Sequence, residues 1–135
     1  MKNLNNVLNL ISKKNFTKAE VKIKELIKHE PKNLSYKNIL AIIYIDQKKI
    51  FKSIIILKKI IKESDKFIDA YINLGNIYFN SKNMKDSEIC FKQALSINNK
   101  NTYVINSLNS IGDDYARNHQ YFKAKNVFEY IIKKK

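Results

Sequence analysis

Leu74-Gly75-Asn76-Ile77-Tyr78 and Ile111-Gly112-Asp113-Asp114-Tyr115 hold the only two glycines of this 135-residue chain. In both stretches an apolar residue precedes the glycine, and a tyrosine follows it by three positions. Apolar residues at helical spacing surround both stretches, so each glycine is predicted to lie inside a helix. Because glycine in a helix costs about 1 kcal/mol relative to alanine, we expect a second helix to cross closely against each site.

Alignment of the chain on these glycines shows four copies of one pattern. Ala41 lies 34 residues before Gly75, Val7 lies 34 before Ala41, and Gly112 lies 37 after Gly75. Each copy continues with a small residue and then a larger apolar residue, which are Ala19 and Ile23, Ser53 and Leu57, Ser87 and Phe91, and Ala124 and Phe128. These spacings place the apolar set on one face of a helix. They predict four units, each with an A helix and a B helix, at about residues 1–33, 34–67, 68–101 and 102–135.

Short polar turns are predicted between the A and B helices. The turns contain Lys14-Asn15, Lys48-Lys49, Lys82-Asn83 and His119-Gln120. Because asparagine tolerates the left-handed conformation that ends many helices, Asn15 and Asn83 are predicted to adopt it. The three additional residues before Gly112, around 102–104, predict a fourth A helix that is about one turn longer.

The composition narrows the function classes. The formal net charge is +14, but Arg117 is the single arginine among 26 basic residues, so the chain lacks the guanidinium forks that nucleic-acid readers favour. His29 and His119 fall in different units and the single cysteine is Cys90, so no metal-ligand spacing exists. We therefore expect no catalytic residues, no metal and no cofactor. A lone cysteine and no apolar run long enough to span a membrane favour a cytoplasmic protein.

The third unit carries a family resemblance. Its motif residues are Tyr71, Leu74, Gly75, Tyr78, Ser87, Phe91 and Ala94. This pattern resembles the tetratricopeptide repeat, a 34-residue helix-turn-helix unit. The resemblance implies an all-α fold, a right-handed α-solenoid of about four repeats, with residues 1–135 as a single array. Lys37 departs from the pattern, which prefers a bulky apolar residue there.

The family binds peptides on a concave face lined by the A helices, so the resemblance implies a peptide-binding groove in this chain. By register its residues are Asn38, Ile42, Asp46, Ile72, Asn76, Phe79, Asn80, Asn109, Asp113 and Arg117. Asparagine amides both donate to and accept from a peptide backbone, and Phe79 and Ile42 are candidate apolar anchors. Solvated asparagines with no binding role are the simpler alternative.

The predicted function is a non-catalytic protein–protein interaction module whose partner is a protein or peptide. One alternative is an N-terminal or accessory segment of a larger enzyme system, such as a glycosyltransferase or sulfotransferase. A second is a basic surface that binds nucleic acid or an anionic membrane. Repeat arrays normally finish with a polar capping helix, whereas this sequence finishes after its fourth B helix. Phe122, Val127 and Tyr130 are therefore a predicted interface, with a partner, with another copy in a homo-oligomer or with further sequence.

Overall fold

The computed structural model describes residues 2–135, and within them the chain forms eight α-helices. In chain order the helices are α1 (Lys2–Ser12), α2 (Phe16–His29), α3 (Leu34–Asp46), α4 (Ile50–Glu63), α5 (Ile68–Asn80), α6 (Met84–Ile97), α7 (Thr102–Arg117) and α8 (Tyr121–Lys134). They pack as sequential pairs, with α1, α3, α5 and α7 as the A helices. The prediction of an all-α chain of about four helix-turn-helix repeats is confirmed.

The chain divides into two compact units, Met1–Asp65 and Lys66–Lys135. In the first unit α2 packs against α1 and α3, and α3 packs against α4. Its core includes Val7, Ile23 and Ile43. In the second unit α6 packs against α5, α7 and α8 around a core that includes Phe91 and Leu108. That residues 1–135 form a single array stays a prediction.

The turn between A and B helices has the same geometry in all four pairs. One residue in each turn is left-handed, namely Lys14, Lys48, Lys82 and His119, with φ of 58, 64, 64 and 60°. The backbone N–H of the next residue donates to the carbonyl five positions before it, at 2.8–2.9 Å. This bond closes a Schellman motif at the end of every A helix.

The prediction that Asn15 and Asn83 adopt the left-handed conformation is wrong. Their φ angles are −89° and −88°, and each residue begins a B helix as its N-cap. The Asn83 side chain accepts a hydrogen bond from the Asp86 backbone N–H at 3.2 Å. Because the next helix needs its cap immediately after the left-handed residue, that conformation falls on Lys14 and Lys82 instead.

Asparagine also caps two of the A helices. Asn33 accepts from the Tyr36 N–H at 3.2 Å, and Asn101 accepts from the Val104 N–H at 3.1 Å. An asparagine cap stabilises a helix by about 1 kcal/mol relative to alanine. Part of the asparagine content of this chain therefore has a structural role at helix starts.

Each glycine lies beneath an aromatic ring of the paired B helix. A β-carbon added at Gly75 would lie 2.8 Å from Phe91 Cζ, and one added at Gly112 would lie 2.6 Å from Phe128 Cζ. The Ser87 hydroxyl donates to the Gly75 carbonyl at 2.8 Å, so the two helices also meet closely at this point. Room for the ring is therefore the reason that a side chain is missing at both positions.

The other two pairs achieve the same fit with different sizes. Ala41 aligns with Gly75 and is matched by Leu57, while Val7 is matched by Ile23. All four of these residues are fully buried. As the residue on the A helix grows from glycine to valine, its partner on the B helix changes from phenylalanine to a smaller aliphatic residue.

This fit predicts that the effect of Gly75→Ala on the free energy of unfolding changes sign when Phe91 is replaced by a smaller residue. Gly75→Ala in the wild-type chain should lower the free energy of unfolding, because overpacking costs about 1–3 kcal/mol and exceeds the roughly 1 kcal/mol gained in helix propensity. In a Phe91→Leu background, which copies the pair of Ala41 and Leu57, the same change should be neutral or stabilising. Urea unfolding of the four proteins measures the coupling, and an equal effect of Gly75→Ala in both backgrounds would contradict the prediction.

The positive φ angles of Lys48 and Lys82 predict that substitution by glycine stabilises the fold at these positions. Lys48→Gly and Lys82→Gly should each raise the free energy of unfolding by about 1 kcal/mol, because glycine adopts positive φ without steric cost. Lys85→Gly is the matched control, since Lys85 is an exposed residue inside α6 and should lose about 1 kcal/mol. Thermal or urea unfolding would refute the prediction if all three variants moved in the same direction.

Candidate functional site

A cleft of about 410 Å³ opens between the A helices α5 and α7 of the second unit. Its lining residues are Asn76, Phe79 and Asn80 of α5, Phe91 of α6, and Tyr103, Ser107 and Ser110 of α7. Spacings of three and four place each helix's contribution on a single face. None of these lining residues carries a charge, although the chain as a whole is strongly basic.

Hydrogen bonds fix the polar groups of this cleft. The Tyr103 hydroxyl donates to Asn76 Oδ1 at 2.8 Å, which orients the Asn76 amide and leaves its NH₂ group as a donor. The hydroxyls of Ser107 and Ser110 donate to the carbonyls of Tyr103 and Asn106 at 2.9 and 3.0 Å. Their oxygen lone pairs therefore remain as acceptors. The cleft offers donors on one wall and acceptors on the other, above the ring of Phe91.

The structure brings together three of the predicted groove residues, Asn76, Phe79 and Asn80. Ile72 is half-buried against the core of the second unit and does not line the cleft. Phe79 also packs against this core, so one part of its ring supports the fold while another part faces the cleft.

The predicted residues of α7 do not line this cleft, namely Asn109, Asp113 and Arg117. Asn109 is half-buried, and Asp113 and Arg117 are exposed. Equivalent register positions point in the same direction on α5 and α7, the A helices of the second unit. The face of α5 that carries Asn76 is turned toward α7, so the equivalent face of α7 is turned away from α5. The wall opposite Asn76 is built from Tyr103, Ser107 and Ser110 instead.

In the first unit the structure corrects the prediction for Asn38. This residue is only 7% exposed and interacts with another group of the protein. Because of this burial, Asn38 is not available as a groove contact. Ile42 is half-buried and Asp46 is exposed, and their role in binding stays a prediction.

Four lining residues were not among the predicted groove residues, namely Phe91, Tyr103, Ser107 and Ser110. The helix α7 has 16 residues and α5 has 13, which confirms the predicted additional turn at the start of the fourth unit. Tyr103 belongs to this turn and has no equivalent in the other pairs. The spacing of 37 residues between the glycines, instead of 34, is the sequence signal that could have pointed to it.

The predicted interface on α8 also needs correction. Val127 is fully buried in the core of the second unit, because it faces α6 and α7. Tyr130 is half-buried, and its hydroxyl donates to the Lys92 carbonyl at 3.0 Å. Of the three predicted residues only Phe122 is largely exposed, at 77%. Self-association through α8 stays a prediction that rests on this one residue.

Lysines gather around a buried tyrosine on the B-helix side of the first unit. The ammonium groups of Lys24, Lys49 and Lys52 lie 5.6–5.8 Å from the centre of the Tyr44 ring. Glu20 binds Lys24 at 2.6 Å and Lys49 at 3.3 Å. The hydrogen bond from Lys24, with help from Gln47 and Lys49, lowers the pKa of Glu20 from 4.5 to about 2 against the opposing effect of burial. The name Tyr44 cluster is used for Tyr44, Glu20, Lys24, Lys49 and Lys52.

A corresponding group surrounds Tyr115 in the second unit. Lys123 lies 5.5 Å from the ring centre, Glu88 binds Lys92 at 3.1 Å, and all three line a cleft of about 320 Å³ together with Lys85. Burial, followed by the negative charge of Glu88, raises the pKa of Tyr115 to about 12. The phenol therefore stays protonated at physiological pH. Tyr115, Glu88, Lys85, Lys92 and Lys123 are called the Tyr115 cluster.

In all four helix pairs a turn of the same geometry joins the A helix to the B helix. This arrangement defines an all-α repeat protein built from helix-turn-helix units. Residues 68–101, which contain α5 and α6, match the sequence model of the tetratricopeptide repeat. The third helix pair is therefore a tetratricopeptide repeat, and the resemblance seen in this unit is confirmed. Tetratricopeptide modules generally mediate protein–protein interaction and are typically non-catalytic scaffolds.

Solved structures share this fold at low sequence identity. A tetratricopeptide repeat protein from Parabacteroides merdae is 18% identical and superposes with a TM-score of 0.76, covering 98% of this chain and 52% of its own. A structure of MamA is 23% identical, with a TM-score of 0.70 over 94% of this chain and 72% of that one. MamA from Desulfovibrio magneticus is 13% identical, with a TM-score of 0.69 over 94% of this chain and 70% of that one. Comparison with curated proteins finds no match.

This chain spans about half the length of the Parabacteroides structure. At these identities the likeness establishes the fold alone. Among residues 2–135 no helix combines the length and the apolar character needed to cross a membrane.

The lowered pKa of Glu20 predicts a pH-dependent contribution to stability. Glu20→Gln should lower the free energy of unfolding by on the order of 1 kcal/mol near neutral pH, because the charged carboxylate holds two lysines. Since folding lowers the Glu20 pKa from 4.5 to about 2, this contribution is complete above pH 4.5 and is lost as the pH falls toward 2. Unfolding of wild type and variant should therefore converge across this range.

Glu129→Gln is the control for this measurement. Glu129 is 49% exposed and lies 3.8 Å from a single lysine, so its removal should change stability little at any pH. A difference between wild type and Glu20→Gln that stays constant from neutral pH to pH 2 would contradict the assigned role of Glu20.

Proposed function

We propose that the cleft between α5 and α7 binds an extended peptide segment of a partner protein. The observation that carries this proposal is the uncharged cleft of about 410 Å³, which presents oriented donors and acceptors on opposite walls. Its position between the A helices of two consecutive pairs agrees with the peptide-binding use of this surface that the family resemblance implies. The chain then acts as a non-catalytic adaptor.

The proposed recognition combines backbone hydrogen bonds with one apolar contact. The Asn76 NH₂ group donates to a peptide carbonyl, and the hydroxyl oxygens of Ser107 and Ser110 accept from peptide N–H groups. Phe79 supplies the apolar contact for one side chain of the ligand. Because a buried charge without a partner is costly, the bound residues of the ligand should be uncharged.

Peptide selection tests the proposal. Peptides selected on the wild-type chain from a random display library should bind Phe79→Ala and Asn76→Ala with on the order of tenfold lower affinity, the usual scale for a central interface contact. Ile89→Ala is the matched control, since Ile89 is an exposed apolar residue of α6 outside the cleft. Titration by fluorescence anisotropy measures each affinity, and thermal unfolding confirms that every variant is folded. Equal binding by all three variants would refute the cleft assignment.

Tyr103 should act by positioning Asn76. Tyr103→Phe removes the hydroxyl that donates to Asn76 Oδ1 and keeps the ring, so the amide loses its fixed orientation. We expect binding of the selected peptides to weaken by about three- to tenfold, in line with the loss of one hydrogen bond, with little change in stability because Tyr103 is 52% exposed. In the Asn76→Ala background the same substitution should have no further effect, and additive losses would show that Tyr103 binds the peptide itself.

A further inference from the structure

We propose that the Tyr44 and Tyr115 clusters, on the B-helix side of each unit, bind acidic segments of a partner protein. These clusters are separate from the cleft that lies between the A helices. The proposal rests on their recurrence, on their charge and on the burial of the two tyrosine rings.

The two clusters repeat one arrangement in each unit. Lys24 follows Glu20 by four residues, and Lys92 follows Glu88 by four. Lys52 follows Tyr44 by eight residues, and Lys123 follows Tyr115 by eight. In each case the tyrosine belongs to an A helix and is flanked by side chains from the B helix before it and the B helix after it.

Both clusters carry the same excess of positive charge. Each contains three lysines and one glutamate, which leaves a net charge of +2. Within the part of the chain that the structure describes, Lys52 and Lys123 form no ion pair, and both are exposed. Their ammonium groups therefore remain available to a carboxylate from outside.

Packing on tyrosine holds these lysines in place before a ligand binds. The ammonium of Lys52 lies 5.6 Å from the centre of the Tyr44 ring, and that of Lys123 lies 5.5 Å from the centre of the Tyr115 ring. A cation over an aromatic face is attracted by the ring, and its aliphatic stem covers apolar surface while the charged end stays in water. Less side-chain entropy is then lost on binding than for a freely rotating lysine.

The same geometry favours an acidic protein segment over nucleic acid. Tyr44 and Tyr115 are each only 6% exposed, so their rings are not accessible for base stacking, which non-specific single-strand binders rely on. The clusters contain no arginine, and lysine meets phosphate only as a point charge. Glu20 and Glu88 would also repel a continuous phosphate backbone, whereas an acidic segment can direct individual carboxylates to individual lysines.

Fluorescence anisotropy at low ionic strength tests this proposal. The probe is a fluorescein-labelled peptide of alternating glutamate and glycine, and its control has glutamine in place of glutamate. We expect the acidic peptide to bind the wild-type chain, the neutral peptide not to bind, and added salt to weaken binding. Lys52→Gln with Lys123→Gln should reduce the affinity by about fivefold, the scale of a lost exposed ion pair.

Lys58→Gln with Lys100→Gln is the matched control. Both lysines are exposed and lie outside the clusters, so this double variant loses the same charge and should lose less than about twofold in affinity. Lys52→Arg with Lys123→Arg should retain binding, which separates loss of charge from loss of folding. Phe79→Ala should leave acidic-peptide binding unchanged, so the result is independent of the cleft.

Three results would overturn the proposal. Equal losses in the two glutamine double variants would indicate attraction to net charge alone. Tighter binding of an oligothymidylate of equal charge than of the acidic peptide would indicate a nucleic-acid surface. Failure of the wild-type chain to bind the acidic peptide at low ionic strength would show that the clusters serve folding only.

Discussion

The fit between one residue of each A helix and the residue 16 positions later on its B helix is the contact on which every pair depends. Phe91 fills the space above Gly75, and the aligned residues Ala41 and Leu57 are both fully buried. Because interiors are packed at crystal-like density, the sum of the two sizes is constrained more tightly than either size alone. This contact sets the separation of the two helices and with it the direction in which the outer faces point.

Much of the fold could be predicted because helical periodicity is a local property. The four pairs and the additional turn of α7 both follow from spacing within the chain. The left-handed residues could not be placed in the same way, because two helices compete for the three residues of each turn. The cap of the B helix takes Asn83, and the strained conformation falls on Lys82 although lysine has no preference for it.

The site was harder to predict because register within one helix does not say which neighbour a face meets. Asn76 and Phe79 line the cleft because α7 follows α5 on that side. Asp113 occupies the same register and does not line the cleft. Val127 was predicted to be exposed by counting contacts within one pair, whereas packing against the preceding pair buries it. Burial by non-adjacent helices is a tertiary effect that a repeat alignment does not contain.

The additional turn of α7 shows how a regular repeat acquires an individual site. The three residues are added at the start of the helix, so every contact downstream keeps its register, and three residues complete nearly one turn of 3.6. Tyr103 could therefore arise without any change in the register of the fourth pair. Growth of an A helix at its free start is a route by which one member of an array can gain a new contact while the shared architecture stays intact.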